Sequence, residues 1–153
     1  MSDLQELYQS VILDHNRKPR NFGPLDGATG SAEGKNPLCG DQVEVAVRLD
    51  GDVLQEVKFT GHGCAISKAS ASLMTAAVQG KSLADVDVLF DKFHALVTGR
   101  TPEAEITKDA LGQLIVFSSV SRFPIRVKCA SLAWHTLRAA IASDAPVTPV
   151  STE

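Results

Sequence analysis

The sequence predicts one domain that mixes helix and strand, and three patterns carry that expectation. Leu4, Leu7, Tyr8, Val11, Ile12 and His15 recur at helical spacing near the start of the chain. Val43, Val45, Val47 and Leu49 alternate with polar or small residues, which is the period of a half-buried strand, and a second such run from Val53 to Thr60 follows. Helical periodicity then returns and dominates the second half. The chain has 153 residues, enough for one sizeable core. Its composition, 44% apolar and 22% charged, is that of a folded globular chain rather than a disordered one.

Each element can be justified in turn. The first helix is expected from Leu4 to Arg17, opened by a capping box of Ser2 with Gln5 or Asp3 with Glu6 and stopped by Pro19. Phe22 to Gly40 is rich in Gly, Pro and Asn and reads mostly as loop, with a short edge strand near Thr29 to Glu33. A two-residue turn at Asp50-Gly51 joins the alternating runs into a hairpin, with Val53, Val57 and Phe59 on one face. Gly61 to Gly63 break the second strand. Ile66, Ala69, Leu73, Ala76 and Ala77 then mark a helix that ends at Gly80. Ser82 caps another, with Leu83, Val86, Phe90, Phe93 and Val97 on one face and Gly99 at its end. Gly99 to Lys108 reads as loop, Ala110 to Ser119 as a short apolar helix, and Pro124 as a turn. Ala130, Ala133, Trp134, Leu137 and Ile141 define the last helix, and Trp134 and the phenylalanines are expected in the core. The domain is placed at 1–143. Residues 144–153, with Pro, Thr and Ser and no periodicity, are expected to be a disordered tail.

Charge and composition exclude several classes of function. A net charge of −3 gives no reason to expect nucleic acid or an anionic membrane as partner. No apolar run approaches the ~18 residues of a membrane span. The acidic start, Met1 to Glu6, lacks the apolar core of a signal peptide, so a cytoplasmic location is expected. Thiols stay reduced there, and three cysteines, an odd number, argue against a disulfide framework.

Those three cysteines and one aspartate carry the chemistry. They stand in Asn36-Pro37-Leu38-Cys39-Gly40-Asp41, in Gly61-His62-Gly63-Cys64-Ala65-Ile66-Ser67, and in Arg126-Val127-Lys128-Cys129-Ala130. In extended backbone, Cys39 and Asp41 point to the same side, and Gly40 lets the chain bend so that both reach one ion. Cys64 follows a strand and opens a helix, whose free N–H groups favour a thiolate. Cys129 is expected near the start of the last helix, beside Arg126 and Lys128. A single buried cysteine is usually a small hydrophobe. Three together, in glycine-rich turns and beside basic residues, point to a site instead. Three thiolates and a carboxylate complete a tetrahedral set for a thiophilic metal such as zinc, and the same thiols could hold a sulfur atom or an iron–sulfur cluster. The histidines are weaker candidates. His15 is expected as a hydrogen-bonded core residue, His62 as a ligand or a solvent-facing residue, and His94 and His135 as solvated.

The blocks around these residues resemble the SufU-type, zinc-containing branch of the IscU/NifU-like iron–sulfur scaffold superfamily. The resemblance covers about Leu4 to Ala142. It rests on Leu7-Tyr8, Val11 to His15 and Pro19-Arg20-Asn21, on the three cysteine blocks, on Ala69 to Met74, and on Ser121 to Trp134, all in the family order. Scaffolds of the IscU type carry a histidine just before the third cysteine, where this chain has Lys128. The stretch from Phe93 to Val120 looks like the extra segment that SufU-type proteins carry between the second and third cysteines.

The resemblance implies an α/β (α+β) fold, a small antiparallel β-sheet flanked by helices, and zinc on Cys39, Asp41, Cys64 and Cys129. It implies a sulfurtransferase that takes persulfide sulfur from a SufS-type, pyridoxal-phosphate-dependent cysteine desulfurase for iron–sulfur cluster assembly. Cys39 matches the acceptor, Arg126 would act as a neighbouring donor, and downstream scaffold or acceptor proteins would be further partners. Two alternatives stand beside this reading. One is a scaffold on which a [2Fe–2S] cluster is built, with iron in place of zinc. The other is a zinc protein in which the metal only stabilises the fold.

Overall fold

The first helix lies where its periodicity predicts. In a computed structural model that describes residues 2–37, 40–106, 111–143 and 150–151, α1 runs Ser2–Arg17 and stops short of Pro19. Val11, Ile12 and His15 form its buried face. His15 is the core residue expected, with Nδ1 2.6 Å from Ser72 Oγ.

Strand β1, Gly30–Asn36, is longer than the short strand expected near 29–33. It pairs antiparallel with β2, Asp41–Asp50, which pairs antiparallel with β3, Val53–His62. A two-residue strand β4, Val150–Ser151, adds parallel to β1, giving the order β3-β2-β1-β4. These two residues fall in the segment expected to be disordered; 144–149 and 152–153 lie outside the described residues.

The hairpin differs from expectation by one residue. Asp50 pairs with Val53, so the turn is Gly51-Asp52, with Gly51 at φ +63°. The register also shifts between Arg48 and Leu49, which leaves Gln55 as an extra residue on β3. A strict alternation cannot be counted through such a bulge. Leu54, not Val53, therefore takes the fully buried position ahead of Val57 and Phe59.

One face of the sheet is core and the other is polar. Val43, Val45 and Val47 are buried while Glu44 between them is exposed. Two helices cover the core face: α2, Ala65–Val78, and α4, Pro124–Ala142. A Cβ on Gly34 would lie 3.0 Å from Leu132 Cδ1 and overlap Thr136 Oγ1, so glycine is what lets α4 settle on β1. Helix α2 is buried almost all round because α1 packs against it as well. Its buried hydroxyls are satisfied. Ser70 donates to the Ala130 carbonyl at 2.6 Å and accepts from Trp134 Nε1 at 3.2 Å.

Helix α3, Leu83–Val97, is capped by Ser82, whose Oγ accepts from the Asp85 N–H at 3.1 Å. Phe93 on α3 stacks on Trp134 at 4.5 Å and meets Phe117 edge-on at 5.5 Å. Phe117 belongs to the segment expected as a short apolar helix. It is instead a 3₁₀ helix over Gly112–Arg122, and Ala110 lies outside the described residues. Leu111, Leu114, Phe117 and Val120 are buried at every third residue, a spacing compatible with a 3₁₀ helix, and Ile115 and Val116 are buried beside them. A single 3₁₀ turn, Glu103–Glu105, interrupts the loop expected before it.

Three further expectations are corrected. Pro124 is not a turn but the first residue of α4, where its fixed φ and missing N–H are suited. Phe22 and Phe123 are 45% and 47% exposed, not core. His94 and His135 are half-buried rather than solvated: each packs against Phe90, at 6.2 and 5.4 Å between ring centres. Burial, then the neighbouring His94, pushes the His135 pKa below the usual histidine range. Among the described residues, no helix is long and apolar enough to cross a membrane.

Candidate metal centre

The site forms at one end of the sheet, where three chain segments separated in sequence arrive together. Asn36 ends β1 and pairs directly with Asp41, which begins β2. The short loop between them holds Cys39, which, with Leu38, lies outside the described residues. Gly40 closes that loop at φ +71°, a left-handed conformation suited to glycine. Asp41 has the phase of Val43 and Val45, so its carboxylate points into the core side and is only 2% exposed.

A buried carboxylate needs partners, and the next segment supplies them. Asp41 Oδ1 accepts from the backbone N–H of Cys64 at 2.8 Å, and Oδ2 lies 3.8 Å from Cys64 Sγ. The approach is possible because residue 63 is glycine. A Cβ there would sit 2.9 Å from Asp41 Cγ and 3.0 Å from its Cα, and Gly63 has φ +155°. Cys64 is the N-cap of α2, with Sγ accepting from the Ser67 N–H at 3.4 Å. The sulfur thus takes the place of a capping hydroxyl, at the end of the helix where the dipole favours negative charge.

Cys129 comes from α4. Because that helix begins at Pro124, Cys129 lies in its second turn, not at its N-terminus as expected, and is 2% exposed. Asn36 Nδ2 is 3.8 Å from its Sγ. The donor atoms of Asp41, Cys64 and Cys129 all fall within 4.8 Å of one another. Thiolates bound tetrahedrally at ~2.3 Å from one ion stand about 3.8 Å apart, so a metal asks for a contraction of no more than about an ångström. Two sulfurs and one carboxylate oxygen fit zinc or iron by ligand type, and a further ligand would complete four.

The other candidates separate clearly. His62 pairs with Gln42 at the strand end, is exposed, and is not among the converging donors. Arg126 is exposed, with its guanidinium 4.7 Å from the ring centre of Phe123. Its charge also acts on Tyr8, which is half-buried on α1. Burial raises the Tyr8 pKa, Arg126 opposes this, and the nearby Cys64 adds to it. Arg126 therefore borders the site through Tyr8. Sequence reasoning missed Tyr8, which reads as part of an apolar helix stripe. It also missed Asn36, whose signal was a polar residue in the buried phase of β1 with Gly30, Ala32 and Gly34.

An antiparallel sheet backed by helices, with two cysteines and an aspartate gathered at its end, defines a domain with a candidate thiolate–carboxylate metal site. The chain belongs to the NifU-like N terminal domain family, whose model matches residues 7–130. It is 39% identical over 145 residues to the iron–sulfur cluster assembly scaffold protein IscU of Streptococcus pyogenes serotype M1, covering 95% of this chain and 89% of that protein. It is 38% identical over 143 residues to the zinc-dependent sulfurtransferase SufU of Bacillus subtilis strain 168, covering 94% and 95%. The fold matches a crystal structure described as a candidate iron–sulfur cluster assembly scaffold protein for the SUF system, from Fervidobacterium islandicum AW-1. The TM-score is 0.80 at 34% identity, over 90% of this chain and 98% of that one. Relatives of nearly equal identity thus carry the names scaffold and sulfurtransferase, and similarity alone does not choose between them.

Proposed function

We propose that the chain is a zinc-dependent sulfur acceptor in iron–sulfur cluster assembly, taking persulfide sulfur from a cysteine desulfurase. The observation that carries the reading is the convergence of Asp41, Cys64 and Cys129 within 4.8 Å, beside a loop that holds the third cysteine. Cys39, Asp41, Cys64 and Cys129 would be the four ligands. Zinc bound there would keep the thiols ionised at neutral pH. The zinc-dependent sulfurtransferase among the relatives supports the choice of metal, as does Lys128 standing where scaffolds of the IscU type have histidine.

Each residue then has a task. Asp41 binds the N-terminus of α2 through the Cys64 N–H and so fixes two ligands relative to each other. Cys64 is held by the helix it caps, and Cys129 by the interior of α4. Cys39, on the short loop with Gly40, is the ligand that can leave with least disturbance. Its thiolate attacks the outer sulfur of the donor's persulfide. A new S–S bond forms to Cys39, the donor's inner sulfur leaves as a thiolate, and no electrons are gained or lost overall. Since a persulfide does not travel free, the desulfurase must dock over this end of the sheet, with Arg126 and Tyr8 on its border.

The scaffold reading is favoured by one finding, the IscU relative at 39% identity. Metal analysis of protein purified without added iron separates the two, one zinc per chain being expected. Mixing with a cysteine desulfurase, cysteine and a reductant should raise desulfurase turnover. Before reductant is added, mass spectrometry should find the persulfide on Cys39. Iron in place of zinc would overturn the reading in favour of the scaffold, and absence of stimulation at saturation would leave a structural zinc. A persulfide on Cys64 or Cys129 with Cys39 unmodified would show the acceptor to be wrong.

A further inference from the structure

Asn36 is a fully buried amide at the edge of the metal centre, and none of the chemistry above uses it. It sits in the core phase of β1, opposite Asp41 in the antiparallel register, so the two residues form the root of the loop that holds Cys39. Each root residue reaches one of the other cysteines. Asp41 takes the Cys64 N–H at 2.8 Å, and Asn36 directs Nδ2 at Cys129 Sγ from 3.8 Å. An amide carries both a donor and an acceptor end, and only its N–H end can face a thiolate without repulsion.

The geometry points to Asn36 as a positioning residue that donates an N–H···S hydrogen bond to the Cys129 thiolate and holds it as a permanent metal ligand. The assignment rests on the metal-centre reading above but not on the choice between zinc and iron; that Cys129 stays bound rests on Cys39 being the proposed acceptor. Groups that hydrogen-bond a metal ligand fix its orientation and tune its donor strength, and their loss costs roughly 10–100-fold in metal affinity. With Asn36 on Cys129 and Asp41 on Cys64, both ends of the loop are tied to ligands that stay. Of the four proposed ligands, Cys39 alone lies between them in sequence.

Two measurements on the full chain test this. In the cadmium-113 form of the unaltered protein, the Asn36 side-chain N–H should show scalar coupling to the metal through the sulfur, which requires a hydrogen bond to a ligating thiolate. In the cobalt(II) form, Asn36→Leu, which keeps the volume and removes the donor, should move the sulfur-to-cobalt charge-transfer band to lower energy. The loss of the hydrogen bond raises the sulfur lone pairs. Zinc transfer from this variant to a chelator should be roughly tenfold faster or more. A purely structural asparagine would move neither the coupling nor the band. A folded, metal-loaded protein with no coupling and an unshifted band would overturn the assignment while leaving the metal centre standing. If the unaltered protein took up neither cadmium nor cobalt, the metal centre itself would fall, and this assignment with it. Should Asn36→Leu fail to fold, the coupling in the unaltered protein decides alone.

Discussion

Replacing Gly63 with alanine tests the site's internal geometry without replacing any proposed ligand. The new Cβ would lie 2.9 Å from Asp41 Cγ and 3.0 Å from Asp41 Cα, closer than carbon atoms pack, and the backbone would be forced at φ +155°. The clash falls on a carboxylate that is 2% exposed and on backbone, neither of which can swing clear. Relief requires separating Asp41 from the head of α2, which breaks the 2.8 Å bond from the Cys64 N–H. A hydrogen bond to a charged group is worth about 1.5–3 kcal/mol, and a non-glycine residue in such backbone costs about 1–3 kcal/mol. Together they predict a loss of roughly 3–5 kcal/mol, read by urea denaturation of the metal-free protein. Zinc affinity should fall at least about tenfold, read by competition with a chromogenic chelator. Gly51→Ala is the control. It also has positive φ, +63°, in the milder left-handed helical region, but nothing within 4 Å of the new Cβ. It should cost only about 1–2 kcal/mol and leave zinc binding unchanged. If Gly63→Ala bound zinc as tightly as the unaltered protein and lost no more stability than Gly51→Ala, Asp41 would not be packed as described.

Other perturbations give distinct outcomes. Asp41→Ala should weaken zinc binding without abolishing it, because the thiolates remain, whereas the double variant Cys64→Ser, Cys129→Ser should abolish it; full-strength binding by that double variant would exclude the site. Ser70→Ala should cost about 1–3 kcal/mol in urea denaturation, since it strips a partner from the buried Trp134 indole N–H; a loss below about 0.5 kcal/mol, ordinary for a surface change, would refute the account of how α2 and α4 are joined. His15 and His135 both have pKa values lowered in the fold, chiefly by burial. The unfolded chain therefore binds more protons than the folded one below the ordinary histidine pKa of about 6.5. Their contribution is fully present above that pH and is lost as pH falls through it. His135→Gln should flatten the fall in stability between neutral pH and pH ~5, and an unchanged slope would refute the burial argument.

Much of this was legible in the sequence because the signals were local. The hairpin showed in the alternation of β2, the helix bounds in Ser82, Gly80 and Gly99, and His15 in its place on the buried stripe of α1. The failures also have local causes. The extra Gln55 put Leu54 where counting by twos put Val53. Leu111, Leu114, Phe117 and Val120 spell out a three-residue period, but so short an apolar run also passes for an α-helix. Pro124 reads as a turn, although proline suits the first turn of a helix as well as a loop. Asn36 lies beyond the short strand expected near 29–33, so its buried phase was hidden, and its partner Cys129 is 93 residues away.

The start of α4 at Pro124 bears on which cysteine can act as the proposed sulfur acceptor. A cysteine at the head of a helix can be imagined to fray outwards with the first turn. Cys129 has no such freedom, because it lies in the second turn of α4 among residues buried against α2 and the sheet. Cys64 does stand at a helix head, but its N–H is bound to Asp41 and its sulfur accepts from Ser67. Releasing either would expose buried polar groups or unwind part of a helix. The loop between Asn36 and Asp41 has neither constraint at its closing residue, since Gly40 has open space around it. Cys39 is thus the proposed acceptor because the other two cysteines are firmly held. It follows that loosening Cys129 through Asn36→Leu should let persulfide appear on Cys129 as well as Cys39. Persulfide confined to Cys39 in that variant would mean that the loop, not the grip on Cys129, decides which thiol reacts.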